Sequence, residues 1–202
     1  MTNRNKTLKR IIRSVLLGII IGGILCLPGT LTYAHARTSS PNVQITIDRR
    51  GTIRSVGNMF DNRLWYPGKK ENGTIRISND FKRIKITGMD VQMQLLKWKP
   101  EYDKSVVESS LLRNMELTVN KKNNLFQSQM IISHQRLFKL VRLFRGALRR
   151  EKGYHLNAQN QFYLDKGDFT DLDYSLVMDL ESGNELQDIS ANVGINVSLE
   201  ER

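Results

Sequence analysis

The chain has 202 residues, with 31 lysines and arginines against 20 aspartates and glutamates and a formal net charge of +11. Its one cysteine, Cys26, lies in an apolar stretch near the N-terminus, so disulfides, thiol catalysis and cysteine-ligated zinc are excluded from everything that follows it. Five basic residues (Arg4, Lys6, Lys9, Arg10 and Arg13) and no acid fall within residues 1–36. The remainder keeps 26 basic against 20 acidic groups, a net +6, so the overall basicity is weak evidence for nucleic-acid binding.

Residues 1–36 read as a secretory signal peptide. A basic segment, Arg4 to Arg13, precedes an apolar run from Ser14 to Leu27, and Pro28-Gly29 then breaks any helix. Tyr33-Ala34-His35-Ala36 places small residues at the −3 and −1 positions of a signal peptidase site, which predicts cleavage after Ala36. The apolar run of 14 residues falls short of the roughly 20 that a spanning helix needs. Counting Leu31 to Ala36 lengthens it, so an uncleaved membrane anchor is the alternative. The protein is expected to be secreted, extracellular or at the cell surface. Cys26 is a poor lipoprotein site, because Leu25 stands where a small residue is expected.

Beyond the leader, apolar and polar residues alternate with the period of strands. Val43, Ile45 and Ile47 alternate with Gln44 and Thr46. Thr74 to Ile77 and Ile84 to Ile86 repeat the pattern, as do Val91, Met93 and Leu95. Tyr66-Pro67-Gly68 and Glu71-Asn72-Gly73 read as turns between them. Near the end, Tyr174, Leu176 and Met178 alternate, and so do Val193, Ile195, Val197 and Leu199. The middle differs. From Ile131 to Arg150 the residues Leu137, Val141, Phe144 and Leu148 recur at helical spacing, with Arg142, Arg145 and Arg149 opposite them, which predicts an amphipathic helix ended by Gly153. Asn120 to Asn124 and Ala158 to Gln161 read as polar loops. The expectation is one mostly β domain over residues 37–202, an antiparallel β-sandwich with a helical insertion around 131–150.

Two passages carry a family likeness. Leu64-Trp65-Tyr66-Pro67-Gly68-Lys69-Lys70 leads into Gly73 to Asp80, with Pro67, Gly68 and Asn79 in the places of a proline–glycine strand entry closed by an asparagine. Tyr174 to Leu180 is followed by Asn184-Glu185-Leu186-Gln187 and a last strand, with Asn184 and Gln187 in an N-x-x-Q pattern. With the leader, these passages resemble the TasA/camelysin family of SipW-dependent exported proteins of Gram-positive bacteria. The chain departs from the family pattern at Lys69, where aspartate is usual, at Leu186, where an aromatic is common, and at its Leu199-Glu200-Glu201-Arg202 ending. The resemblance implies a divergent member with a jelly-roll sandwich, exported and assembled into extracellular matrix fibres or displayed at the cell surface, as subunit or accessory subunit.

Camelysin-like proteins are described as metallopeptidases, which makes a surface peptidase an alternative. A zinc hydrolase needs histidines one helical turn apart with a carboxylate base. Only His134 and His155 follow the leader, 21 positions apart, and no G-x-S-x-G or P-loop is present. The residues therefore give no support for an enzyme and call for no cofactor and no metal. Asp165, Asp168, Asp171 and Asp173 gather near Gly167, but their spacing is not that of a calcium loop, and a solvated acidic loop is the plainer reading. Arg142, Arg145 and Arg149, with Arg136, Lys139, Arg150 and Lys152, offer an anion-binding face for an anionic cell-wall polymer; the plainer reading is a solvated helix face. Trp65 and Trp98 read as core or strand-edge packing. Residues 38–47 have two readings, a donor strand presenting Val43, Ile45 and Ile47 to a neighbouring copy or related subunit, and the first strand of the chain's own sheet.

Overall fold

In a computed structural model, residues 40–60, 63–124, 127–141 and 154–201 are described. The leader with Ala34 and Ala36, and the arginines Arg142, Arg145 and Arg149, lie outside them, as do Arg150 and Lys152.

Alternation becomes strand wherever one side of the backbone has an apolar layer to meet. Ten strands form among the described residues: β1 (Val43–Ile47), β2 (Ile53–Gly57), β3 (Lys70–Asn79), β4 (Ile84–Lys97), β5 (Met115–Asn124), β6 (Gln127–Arg136), β7 (Tyr154–His155), β8 (Phe162–Leu164), β9 (Phe169–Met178) and β10 (Ser190–Glu201). One sheet runs β2-β1-β3-β9-β5-β6, and the other runs β10-β4-β7 with β8 also paired to β4. All the strand neighbours are antiparallel except β1 and β3, which run parallel with Val43 opposite Ile75 and Ile47 opposite Asn79. The inward rows of both sheets join one core. Val43, Ile45, Ile47, Ile75, Ile77, Leu117, Leu172 and Leu176 come from the first, and Ile84, Ile86, Met89, Val91, Val193 and Ile195 from the second. The protein is thus mostly β, two sheets sharing an apolar layer, and Pro41–Arg202 forms one unit.

The two alternating runs Ile84–Ile86 and Val91–Leu95 are halves of a single strand, β4. Their inward positions change from even to odd numbers, and a bulge absorbs the change. Leu199 pairs with Ile86 and Ser198 with Gly88, which leaves Thr87 as the extra residue.

Three expectations are corrected. The helix over 131–150 is not present in its first part. Ile131 to Arg136 belong to β6, and helix α2 spans only Leu137–Leu140, with Leu137 and Leu140 buried; the rest of that span lies outside the described residues. Asn120 to Asn124 are not loop but the second half of β5, whose polar side chains at 120 and 122 sit on the solvent face of a hairpin with β6. Glu71-Asn72-Gly73 is not a turn but the interior of β3. Gly73 serves close packing there, since a Cβ would run into Asn42 Oδ1 and the Tyr174 hydroxyl. One helix goes unread in the sequence: α1 (Lys104–Asn114), which anchors itself through Val107 and Leu111, one turn apart.

Candidate assembly site

The segment carrying Val43, Ile45 and Ile47 is seated in the chain's own six-stranded sheet, between β2 and β3, with all three side chains fully buried. Within the single chain, Val43–Ile47 pairs with β2 and β3 of its own sheet. The hairpin turn that follows β1 is built by Asp48. Its Oδ1 accepts the backbone N–H of Arg50 (2.8 Å) and of Thr52 (3.0 Å), and Gly51 crosses the turn with φ +80°. Those backbone donors, Thr52 first and Arg50 next, hold the Asp48 carboxyl below its ordinary value.

The sheet edges differ in how far they are closed. The outer edge of β10 is covered over the first half of the strand. Met59 N–H donates to Val193 O (2.7 Å), Val193 N–H to Asn58 Oδ1 (2.7 Å), and the Ser55 hydroxyl to Ile195 O (2.6 Å). At the far end of the larger sheet, β6 is irregular, with register shifts against β5 and His134 at φ +44°. Asn160 Nδ2 also reaches its Ile131 carbonyl at 3.3 Å. Bulges and capped carbonyls of this kind discourage strand addition. At the other end β2 is a five-residue edge that leaves Val56 72% exposed.

The residues of the family likeness occupy turns and corners. Pro67 and Gly68 are the central pair of a tight turn closed by Lys69 N–H to Tyr66 O (3.1 Å), and Gly68 has φ +82°. A positive φ at the third residue of the turn, directly after proline, is the type II geometry that selects glycine. The turn is pinned by Trp65, fully buried and stacked on Phe60 with centroids 4.1 Å apart, and bridged to Ile189. Asn79 is fully buried at the end of β3. Its Nδ2 donates to Lys82 O (2.9 Å), Leu164 O (3.0 Å) and Asp165 O (3.1 Å), and its Oδ1 accepts Phe81 N–H (3.1 Å). One amide therefore ties the β3–β4 turn to the β8–β9 turn. Asn184 opens a short 3-10 turn whose carbonyl accepts Gln187 N–H at 3.2 Å, and Lys99 Nζ reaches both Asn184 O and Gln187 Oε1.

The histidines lie in different sheets. His134 on β6 meets Glu116 of β5 at 2.6 Å, and His155 is on β7 with its side chain exposed. Of the four aspartates, three are engaged one by one rather than gathered: Asp165 by Arg83 (3.4 Å), Asp171 by Arg76 (2.7 Å) and Asp173 by Lys122 (2.6 Å). The Asp168 carbonyl accepts Asn79 N–H at 3.0 Å. The Asp171 hydrogen bonds raise the Arg76 guanidinium above its ordinary value. Asp171 and Asp173 belong to β9, so the acidic stretch is half strand. Among the described residues, no group of three or more histidine, cysteine, aspartate or glutamate side chains is placed to hold a metal ion. Of the basic run, Arg136 pairs with Asp179 at 2.7 Å and Lys139 lies over the Phe138 ring. Trp98 is half-buried against the core beneath Lys104.

No known protein family matches the chain, and no curated protein is similar to it. Among the described residues, no helix is long and apolar enough to cross a membrane.

Proposed function

We propose that this chain is an exported structural protein of the cell surface or extracellular matrix, a jelly-roll subunit or accessory subunit of TasA/camelysin type. It acts by assembly and binding rather than by catalysis. The observation that carries this reading is the placement of β1. It is the first strand among the described residues, it is inserted between two strands of its own sheet, and its pairing with β3 is parallel. Its three buried side chains are worth about 1.5–3 kcal/mol each in burial. A neighbouring copy's β1 in the same slot makes the same contacts, so exchange between copies conserves that energy and the Asp48–Thr52 turn is the hinge. The parallel pairing supports the reading further. No tight turn can link β1 to β3, so β1 is held there by its contacts and by one short hairpin. Cleavage after Ala36 frees the segment that leads into it, and the partners are further copies or a related subunit.

A disulfide across β1 and β3 tests the exchange. Thr46 and Ser78 are register partners on the solvent side of the sheet. Adjacent strands bring Cα atoms within the range a disulfide spans. In a Cys26→Ser background, the Thr46→Cys, Ser78→Cys protein should stay monomeric when oxidised and form fibres when reduced, read by electron microscopy and light scattering. Fibres from the oxidised protein would rule out β1 exchange. A wild type that stays monomeric at every concentration would rule out self-assembly.

A further inference from the structure

Two small constellations repeat one design. In Phe169-Thr170-Asp171 and in Tyr163-Leu164-Asp165 an aromatic residue stands two positions before an aspartate. In each, one arginine covers the ring and pairs with the aspartate. Arg76 lies 4.8 Å from the Phe169 centroid and bonds Asp171 through two parallel contacts of 2.7 Å. Arg83 lies 4.9 Å from the Tyr163 centroid and 3.4 Å from Asp165. Along a strand, positions n and n+2 share a side, which is why a single arginine from the neighbouring strand or turn reaches both groups.

The two triads flank one corner. Phe169 pairs with Ser78 at the end of β3, and Tyr163 pairs with Lys85 at the start of β4. Asn79 lies between them in sequence and bonds the carbonyls of Leu164 and Asp165, so the corner that carries both rings is fixed from beneath. Both rings remain open to solvent, Phe169 at 62% and Tyr163 at 37%.

Charge decides what such a surface accepts. Each triad sums to zero. An anion finds both guanidinium groups already engaged by a carboxylate, and a cation finds both carboxylates engaged. An apolar protein face would have to strip water from two ion pairs, a cost their mutual attraction does not readily offset. A neutral polyhydroxylated chain meets none of these penalties. Its C–H face packs on the exposed side of each ring that the arginine leaves open. Its hydroxyls both donate to carboxylate oxygens and accept from guanidinium N–H groups, which an ion pair offers side by side in one plane. We infer that the Phe169–Arg76–Asp171 and Tyr163–Arg83–Asp165 triads form a binding site for a neutral polysaccharide, each triad one subsite. The inference is independent of β1 exchange.

The test is retention of the protein on insoluble cellulose, chitin, starch and xylan, with heparin and polyuridylate matrices as anionic comparisons. At least one neutral polysaccharide should retain it, equally at about 0.1 M and about 1 M NaCl. Phe169→Ala with Tyr163→Ala should weaken that retention about tenfold or more, with an unchanged thermal melt. If the double variant does not fold, the Phe169→Ala single variant decides, because that ring is the more exposed of the two. The inference fails if no neutral polysaccharide retains the protein, or if folded ring variants bind as wild type does. It fails equally if retention occurs only on the anionic matrices and is lost at high salt.

Discussion

Removing the Asn79 side chain should destabilise the protein far more than an asparagine to alanine change at a strand end ordinarily does. The amide is fully buried; its two N–H groups are shared among three carbonyls and its oxygen accepts one backbone N–H, all at 2.9–3.1 Å. In Asn79→Ala the carbonyls of Lys82, Leu164 and Asp165 and the N–H of Phe81 lose their partner together. A buried polar group left unsatisfied costs about 1–3 kcal/mol. The Lys82 and Asp165 carbonyls lie near the surface and recover water, so the expected total is about 2–4 kcal/mol. With a urea dependence of about 2 kcal/mol per molar, the unfolding midpoint should fall by about 1–2 M. Asn79→Asp separates hydrogen bonding from shape. At neutral pH its carboxylate would face three carbonyl oxygens, and the loss should exceed that of alanine. Because those oxygens and burial favour the neutral acid, the loss should shrink as the pH falls. Urea unfolding followed by circular dichroism at two pH values measures both. A midpoint shift under about 0.3 M for alanine, or an aspartate variant as stable as wild type at neutral pH, would refute the idea that this amide holds the corner.

Ile45→Lys places a charge in the centre of the β1 row, where the side chain has no exposure. It should collapse the thermal melt, since an unpaired buried charge costs several kcal/mol; an unchanged melt would mean that β1 is not part of the subunit's own core in solution. Asp48 should make the β1–β2 turn acid-sensitive. Its folded pKa is lowered, so the folded state binds fewer protons than the unfolded chain between the two values. Its contribution is therefore complete above the ordinary carboxylate value and lost as the pH falls through the lowered one. Protection of the Arg50 and Thr52 amides from hydrogen exchange, taken relative to the intrinsic rate at each pH, should fall over that acid window in wild type and should be low throughout in Asp48→Ala. N-terminal sequencing of the exported protein should begin at Arg37; full-length chain retained in the membrane fraction would favour the anchored alternative.

The strands legible in the sequence are those with one dry face and one wet face. β1, the later part of β3, β9 from Leu172 onward and β10 up to Val197 each present an alternating row to the core, and the period of two follows directly from that geometry. Legibility fails where the row is interrupted. In β6 the neighbours Ile131 and Ile132 are both buried beside a register shift, while Met130 is exposed. Two adjacent apolar residues followed by Leu137 and Leu140 imitate a helical period, whereas among the described residues of that span only the single turn of α2 is helix. The far end of β5 is polar because Lys121 ends the inward row Met115, Leu117 and Val119, its ammonium 4.6 Å from the Phe162 ring centroid. Burial there lowers its pKa. Asn79 was visible as a residue of the family likeness, but its work depends on Leu164, 85 positions later. The two aromatic–arginine–aspartate triads leave no local mark either, since Arg76 and Asp171 are 95 positions apart.

The order of strands also sets when the chain can fold. β9 is the strand that joins β3 to β5, and β10 runs along almost the whole of β4. Without the last third of the polypeptide, the larger sheet is two fragments and the smaller one has lost its longest partner. The N-terminal strands therefore have no stable surface on which to close until residues near 200 are in place. Contacts so distant in sequence form slowly. If the chain is exported N-terminus first, as proposed, this delay is protective. Under the proposed export, the nascent polypeptide would stay threadable through a translocation channel for as long as its C-terminal strands are still being made, and release of the final strand would be the event that commits it to its folded form.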